Sequence, residues 1–349
     1  MDTLPKVTVP EAEDGFINAD ELADGIQVKV TVPGGTAAGD KVTLTVTLPD
    51  NKTVTVEHVL TESEVNGSEA TVTIPKDQVS SDGAYRVVAE ISDPAGNRSG
   101  SSDAVEFTVD TTAEASVSLG TVTADNVLNA VEAAGDVTLT GQVTGDFQAG
   151  DAVTVTVNEK PYQTTLKSDG TFTVVVPGNE LAADADRTVE VSVLVRDEAG
   201  NTATVTGSQP YTVAMTPPTQ TVTITGISDD TGVSGDFITS DNDGLIIHAR
   251  LSAALDDGER LMYSIDDGTT WTDITGSVSD TTVVYFDAKL TSTATVSMRV
   301  VDAAGNVGVT ASQLVTIDTV APGDTNGDGT VDTFCLLYTS DAADDIALV

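Results

Sequence analysis

The stretch Ala149-Gly-Asp-Ala-Val-Thr-Val-Thr-Val157 ends in three valines at alternate positions, directly after a glycine-containing turn sequence. Val42–Val46 and Val296–Val300 alternate in the same way. Successive side chains of a β-strand point to opposite faces, so this period of two predicts half-buried strands. Clusters of Gly, Asp, Asn and Pro separate such runs about every ten residues, and no alternation of strands with long helices occurs. We therefore predict an all-β chain.

Two recurring motifs divide the chain into repeats. D-x-A-G-N occurs at Asp93–Asn97, Asp197–Asn201 and Asp302–Asn306, at spacings of 104 and 105 residues. A second marker, N-x-x-E, starts at Asn18 and recurs at Asn129, 111 residues later. Self-similarity at a nearly fixed period indicates tandem domains. About seven strands fit into each repeat, which favours three tandem immunoglobulin-like antiparallel β-sandwiches. The predicted repeats cover residues 1–110, 111–214 and 215–318.

The pattern also predicts individual elements. One short helix-like stretch is expected around residues 179–186, and no other. In the first repeat we predict strands near residues 6–9, 26–32, 41–48, 53–57, 70–75, 84–92 and 104–109.

The composition is strongly acidic throughout. The chain carries 55 acidic and 15 basic residues, a formal charge of −40. The three repeats hold 20, 14 and 15 acidic residues against 7, 4 and 4 basic ones, and residues 319–349 hold 6 against none. Such a surface repels polyanions, so nucleic acid and anionic membrane surfaces are not expected as partners. No apolar run approaches the roughly 18 residues of a membrane span.

Motifs for catalysis are not found in the sequence. Its two histidines, His58 and His248, fall in different repeats, and no nucleophile elbow, zincin motif, P-loop or dinucleotide fingerprint occurs. Ser264–Trp271 fits the Asp-box pattern S-x-D-x-G-x-T-W and resembles the turns of sialidase propellers. Propellers repeat this box from blade to blade, so a single copy is expected to be a structural hairpin. In that hairpin Asp266 tethers the turn and Trp271 packs beneath it. We predict that the chain is not an enzyme.

The order of the motifs resembles a known family. Ala124–Val137 (A-D-N-x-L-N-x-x-E-x-x-G-D-V), Ala149–Val155 (A-G-D-x-V-T-V), Asp169–Phe172 (D-G-T-F) and the D-x-A-G-N turns are similar to the bacterial Ig-like repeats of large surface adhesins, of the RTX and biofilm-associated type. The resemblance covers about residues 1–322. It implies secreted domains that are strung in tandem as an extender and bind Ca²⁺ at domain junctions.

Sandwich topology indicates which loops could form such a site. The loop before the last strand lies at the N-terminal end of its domain, whereas the loop after the first strand lies at the opposite end. Each D-x-A-G-N turn should therefore face the first loop of the preceding domain, and Ca²⁺ takes six to eight oxygen ligands from such loops. At the first junction the predicted ligands are Asn18, Asp20, Glu21, Asp110, Asp197 and Asn201. At the second they are Asp125, Asn129, Glu132, Asp302 and Asn306.

The first junction is expected to bind Ca²⁺ better, because Ala214 replaces the linker aspartate at the second. The alternative is that D-x-A-G-N is only a tight turn, in which glycine supplies a positive φ and aspartate caps amides. Asp241–Gly244 of the third repeat, with Asp229, Asp230 and Asp236 nearby, is either a further Ca²⁺ site or an ordinary polar turn.

Residues 319–334 form a predicted linker with an EF-hand-like loop. Its sequence fits D-x-N-x-D-G-x-[ILV]-D, the first nine loop positions, and resembles the loops of dockerin and thrombospondin-type repeats. The twelfth position, where a bidentate carboxylate belongs, is Cys335. The predicted ligands are Asp324, Asn326, Asp328 and Asp332.

The segment that follows has an unusual back-translation. Cys335–Asp344 can be written as TGT CTC TTA TAC ACA TCT GAC GCT GCC GAC, a transposase adapter used in sequencing libraries. We expect the native sequence to stop near Phe334 and residues 335–349 to be adapter read-through; the alternative is a genuine C-terminus. The nucleotide sequence decides between them. Without Cys335 the chain has no cysteine.

Together these features predict a non-catalytic extender of a large secreted adhesin at the bacterial cell surface, stiffened by Ca²⁺ and serving adhesion or biofilm formation. Its expected partners are neighbouring Ig-like repeats, with a surface glycan or protein bound through other domains. One alternative is a glycan-binding module that uses the third repeat near Trp271. The other is the accessory region of an extracellular hydrolase.

Overall fold

A computed structural model describes residues 4–320. The predicted calcium loop at residues 324–332 and the predicted read-through at residues 335–349 lie outside the described residues. Within residues 4–110 the strands are β1 (Val7–Thr8), β2 (Phe16–Ile17), β3 (Ile26–Thr31), β4 (Lys41–Thr47), β5 (Thr53–Val59), β6 (Glu69–Ile74), β7 (Gly83–Ser92) and β8 (Val105–Val109).

The later strands follow the same pattern of short runs. Residues 111–214 contain β9 (Ala115–Leu119), β10 (Val127–Leu128), β11 (Asp136–Gly145), β12 (Ala152–Val157), β13 (Lys160–Thr165), β14 (Thr171–Pro177), β15 (Thr188–Arg196), β16 (Thr202–Pro210) and β17 (Thr212–Val213). Residues 215–320 contain β18 (Val222–Ile227), β19 (Ile238–Thr239), β20 (Leu245–Leu251), β21 (Arg260–Ser264), β22 (Thr272–Asp273), β23 (Val278–Ser279), β24 (Thr282–Asp287), β25 (Ala294–Val301) and β26 (Ala311–Ile317). The all-β prediction is confirmed.

Within residues 4–320, helical structure is confined to short pieces. The α-helices are α1 (Glu62–Gly67), α2 (Ala130–Ala133) and α3 (Gly178–Ala183). Single 3₁₀ turns occur at Pro10–Ala12, Glu21–Asp24, Lys76–Gln78 and Thr275–Ser277. The expectation of a single helix-like stretch is wrong, because α1 and α2 accompany α3. Both begin with a capping box, in which Thr61 pairs with Glu64 and Asn129 with Glu132.

Two compact units account for the described chain. The first contains residues up to 122 together with 138–176 and 183–210, and the second contains 123–137, 177–182 and the residues from 211 onward. The boundaries of the three repeats stay a prediction.

In the first unit, residues 4–110 form a β-sandwich. One sheet has the order β1-β3-β6 and the other β2-β8-β7-β4-β5. The alternating residues of β4 behave as predicted, since Val42, Leu44 and Val46 are buried. Tyr85 and Phe107 are directly paired across β7 and β8, with ring centroids 5.8 Å apart. The core therefore arises from the period-two pattern.

The same unit contains a second pair of sheets, with orders β14-β11-β9 and β13-β12-β15-β16. β15 and β16 form a long antiparallel hairpin whose turn holds Asp197–Asn201. Gly141 on β11 has no room for a side chain, because a Cβ there would collide with the Phe172 ring and the Ser118 carbonyl. This close approach explains a glycine in the middle of a strand.

The second unit holds sheets with orders β18-β20-β24-β23 and β19-β26-β25-β21-β22, and the two-stranded pair β10-β17. Its core cluster includes Leu245, Ile247, Val296 and Met298, which are fully buried.

A short parallel strand pairing occurs three times and fixes the position of the loop that follows one of its two strands. β2 pairs with β8, β10 with β17 and β19 with β26, each over two residues. The amide after the last strand of each repeat then donates to the last residue of the short partner strand: Asp110 to the Ile17 carbonyl of β2, Ala214 to Leu128 of β10 and Asp318 to Thr239 of β19. Each pairing places the loop after β2, β10 or β19 beside the exit of its own repeat.

Candidate functional site

Asn201 connects the first repeat to the second D-x-A-G-N turn. Its Oδ1 accepts a hydrogen bond of 2.9 Å from the Ala19 amide, and its Nδ2 donates to the Asp110 carbonyl at 2.8 Å. In return, Asn18 Nδ2 donates to the Ala199 carbonyl at 3.2 Å. Asn201 is only 8% exposed. We call these three contacts the first asparagine bridge.

The second bridge repeats the first atom for atom. Asn306 Oδ1 accepts from the Ala130 amide at 2.8 Å, and its Nδ2 donates to the Ala214 carbonyl at 2.8 Å. Asn129 Nδ2 donates to the Ala304 carbonyl at 3.0 Å. Asn306 is 1% exposed. Two independent occurrences of one hydrogen-bond pattern indicate that the N-x-x-E and D-x-A-G-N motifs pair in a specific way.

The aspartate of the motif orients the bridging asparagine. Asp197 Oδ1 accepts from the Asn201 backbone amide and its Oδ2 from the Asn201 side-chain amide, both at 2.7 Å. Asp302 makes the same two contacts with Asn306, both at 2.8 Å. Each Nδ2 therefore meets a carbonyl and a carboxylate, which both accept, while each Oδ1 meets an N–H. The partners fix the orientation of the amide.

The glycine of the motif allows the left-handed backbone of the turn. Gly200 has φ +93°, and a Cβ there would lie 3.6 Å from Asn18 Nδ2. Gly305 has φ +86° and would meet Asn129 Nδ2 at 3.4 Å. Left-handed backbone is costly for other residues, so glycine is favoured on conformational grounds alone.

The N-x-x-E marker is a capping box. Asn18 Oδ1 accepts from the amides of Asp20 and Glu21, and Glu21 Oε2 accepts from the Asn18 amide at 2.9 Å. Asn129 and Glu132 repeat the arrangement. The box occupies the oxygen of each asparagine locally and leaves its Nδ2 to donate across the junction. Its spacing in the sequence was the signal that could have revealed this role.

The structure therefore brings many of the predicted calcium ligands together, but most of their oxygens have other partners. The side-chain oxygens of Asn18 and Asn201 accept from backbone amides, as do those of Asn129 and Asn306. Glu21 and Glu132 close their capping boxes. Asp125 accepts from Val127 within its own turn, and Asp20 is exposed. Within residues 4–320, no group of three or more His, Cys, Asp or Glu side chains is placed to hold a metal ion.

Asp110 contributes its backbone carbonyl to the bridge, and Ala214 supplies the same carbonyl at the second junction. The bridges thus do not distinguish the two junctions. Their electrostatics differ, because burial and the carboxylates of Asp197, Asp82 and Asp146 raise the pKa of the Asp110 carboxyl. Uncompensated negative charge is concentrated around this side chain.

The Asp-box folds as predicted. Asp266 accepts from the Thr270 amide and hydroxyl at 2.9 and 2.6 Å, and Ser264 Oγ donates to it at 2.8 Å. These hydrogen bonds, those from Thr270 first, lower the pKa of Asp266 to about 2. Trp271 Nε1 donates to the Gly268 carbonyl, and the Arg299 guanidinium lies 3.8 Å from the centre of a Trp271 ring. Since Arg299 covers the ring, that face is not open for stacking on a sugar.

The aspartates of the third repeat make turn contacts. Asp230 accepts from the Gly235 amide, Asp236 from the Ile238 amide and Asp241 from the Asp243 amide. Contacts of this kind occur in polar turns, and the choice between a further Ca²⁺ site and an ordinary turn stays a prediction.

The two histidines lie in different surroundings. His58 Nε2 lies 2.8 Å from Glu64 Oε1, the acid of the α1 capping box, and His248 is exposed on β20. Among residues 4–320, no helix is long and apolar enough to cross a membrane.

Residues 3–111 and 212–319 match two family models, both described as a bacterial Ig-like domain. These segments are bacterial Ig-like domains. None of the curated protein sequences matches the chain. The three-strand and five-strand sheets of the first bacterial Ig-like domain are the sandwich described above.

One solved structure shares this fold, and two others are similar in sequence. One, of a 1.5-MDa bacterial ice-binding adhesin, is 24% identical over 91% of this chain and 99% of its own, with a TM-score of 0.56. A Ca²⁺-stabilized adhesin that helps an Antarctic bacterium bind ice is 29% identical over 91% of this chain and 74% of its own, with a TM-score of 0.48. A bacterial immunoglobulin-like domain of the M. primoryensis ice-binding adhesin is 40% identical over 30% of this chain and all of its own, with a TM-score of 0.28.

Proposed function

We propose that the chain is a non-catalytic extender segment of a large secreted bacterial adhesin, in which asparagine bridges hold successive Ig-like domains in a fixed relation. The observation that carries this proposal is the recurrence of the same bridge at Asn201 and Asn306. The family of the domains and the adhesin with the same fold support it. A segment that only spaces other domains needs defined junctions and no catalytic groups.

The physical need for the bridges follows from the charge. Adjacent repeats carry −13 and −10, from 20 acidic and 7 basic residues and from 14 and 4. Like charges at facing ends repel, most strongly at low salt. Each bridge supplies three hydrogen bonds across the junction, and their donors and acceptors are partly shielded from water, which favours a closed junction over a bent one.

Calcium has a narrower place in this proposal than the sequence suggests. Of the predicted ligands, Asp110 retains a carboxylate that makes few hydrogen bonds and lies among other carboxylates. A hard divalent cation bound there would be held by oxygens and would offset that charge. We propose this region as the Ca²⁺-responsive part of the first junction, whereas the bridge itself consists of protein hydrogen bonds.

Mechanical unfolding tests the extender function. Single molecules of the full chain, held by their ends, should unfold in three separate events. Each should release a contour length of roughly 350 Å, since about 104 extended residues span up to 3.3–3.6 Å each. One or two larger events would contradict three independent load-bearing domains. Hydrolytic activity on extracellular polysaccharides would contradict the non-catalytic part.

A further inference from the structure

The first D-x-A-G-N turn has the same internal structure as the two turns that form bridges. Asp93 Oδ1 accepts from the Asn97 amide at 2.9 Å, and its Oδ2 accepts from Asn97 Nδ2 at 2.7 Å. The Asp93 amide donates to the Asn97 carbonyl at 3.0 Å, as Asp197 does to Asn201 at 3.1 Å. Gly96 has φ +89°. The hydrogen bonds within the turn are therefore complete without a contact from another domain.

Its surroundings differ from those of the other two. Asn97 is exposed, whereas Asn201 and Asn306 are 8% and 1% exposed. A Cβ on Gly96 would meet nothing within 4 Å, although the matching positions face Asn18 and Asn129. Within residues 4–320, no hydrogen bond reaches Asn97 Oδ1, and Asn97 Nδ2 has only Asp93 as its partner. The atoms that form the two bridges are thus presented to solvent here.

We propose that the turn Asp93–Asn97 is a docking site for the N-x-x-E loop of a further Ig-like domain placed ahead of the first repeat. This inference rests on the proposed extender function. The partner would supply three groups: the backbone N–H after its asparagine, the Nδ2 of that asparagine, and the carbonyl of its linker residue. Asn97 Oδ1, the Ala95 carbonyl and Asn97 Nδ2 would be their respective partners.

The chemistry of the turn also selects among domains. Asp110, Ala214 and Asp318 occupy the same place, since each donates its amide to the last residue of the short strand β2, β10 or β19. By this correspondence Ser240 stands in the third repeat where Asn18 and Asn129 stand in the others. Serine has no side-chain amide to donate to the turn, so the loop after β19 lacks the Nδ2 group, one of the three that the partner would supply. A domain of the first or second type is therefore the expected occupant.

A fusion can reproduce the junction in the full chain. The spacing of 111 residues between Asn18 and Asn129 makes Leu4 equivalent to Ala115. A copy of residues 4–114 joined directly to Leu4 therefore carries the native linker Thr111–Glu114. In a chain with Cys335→Ser, spin labels attached at Thr55 of both copies report the distance across the added junction. Labels on residues 55 and 163 of the original chain report the first junction.

Pulsed electron–electron double resonance then gives the width of the distribution of distances between the two labels. We expect the distance distribution at the added junction to be as narrow as that at the first junction. Asn97→Ala in the original chain should broaden the distribution at the added junction at least twofold and leave that at the first junction unchanged. Asn201→Ala should have the reciprocal effect. A broad added junction beside a narrow first one, or a narrow one that Asn97→Ala leaves unchanged, would overturn the docking site alone. Broad distributions at both would count against the bridges, and so against the proposed function as well.

Discussion

At the scale of residues, the junctions depend on an amide that both donates and accepts. Asn201 and Asn306 accept from the amide of one segment and donate to the carbonyl of another. Aspartate could not donate and a hydroxyl could not span the same partners, so the amide is specific to this geometry. A neutral hydrogen bond contributes about 1 kcal/mol net, but an unpaired buried partner costs more.

Asn306→Ala should lower the free energy of unfolding by about 2 kcal/mol more than Asn97→Ala does. Both substitutions remove the side-chain Nδ2 contact with the aspartate of their own turn, but only Asn306→Ala leaves the Ala130 amide and the Ala214 carbonyl without a partner. Urea denaturation of the two variants measures the difference. Equal losses would show that the bridge adds nothing to stability.

Asp110→Asn should separate the contribution of the first asparagine bridge to stability from that of calcium. The raised pKa of Asp110 means that its ionised form is disfavoured in the folded state. The protonated carboxyl therefore favours folding at low pH, and this contribution to stability is lost as pH rises through the folded pKa. At neutral pH and in EDTA, the variant should therefore melt at a higher temperature than the native chain. With Ca²⁺ added, the native chain should gain more than the variant. The reverse order in EDTA would contradict the electrostatic argument, and equal gains would exclude Asp110 from the response.

At the scale of elements, short polar motifs fix turns that strands alone leave open. The Asp-box ties the hairpin between β21 and β22 through Asp266, which accepts from Thr270 and Ser264. The capping boxes at Thr61 and Asn129 start α1 and α2. Predicted strands of the first repeat match the observed ones within two residues, except for the two-residue β2, which is too short to show a period. The alternation of residues was sufficient for the rest.

Acid should weaken the Asp-box hairpin. The pKa of Asp266 is lowered to about 2, so its carboxylate stabilises the fold above the unfolded value of about 3.9 and this contribution disappears as pH falls towards 2. Asp266→Asn should lower the melting temperature at pH 7 and remove this part of the pH dependence. Asp267→Asn in the same turn is the matched control. Calorimetry from pH 7 to pH 2 measures both, and identical pH profiles for the two variants would contradict this assignment.

At the scale of the whole molecule, repulsion between repeats opposes the bridges. Every repeat is strongly acidic, and screening lengths rise from about 8 Å at 0.15 M salt to about 30 Å at 0.01 M. The bridges act over hydrogen-bond distances and depend little on salt. The balance between the two should therefore be visible when the bridges are removed.

The double variant Asn201→Ala, Asn306→Ala should make the chain sensitive to ionic strength. We expect its radius of gyration, measured by small-angle X-ray scattering, to change between 0.01 M and 0.15 M salt by several times as much as that of the native chain. Asn97→Ala is the control, because its turn makes no bridge within residues 4–320. A native chain that responds as strongly as the double variant would show that the bridges do not hold the domains.

The sequence by itself determined the all-β class, most strand positions of the first repeat, the repeat spacing and the loops that meet, because these follow from local periodicity and from the order of strands in a sandwich. It could not decide what the meeting residues do. Asn18, Glu21 and Asn201 have oxygens suited to calcium, and only the tertiary structure shows that backbone amides already occupy them. Nor could it separate Asn97 from Asn201, which sit in the same motif but differ in exposure. The role of a polar side chain depends on which partner reaches it, and that is a property of the packed domains rather than of the motif.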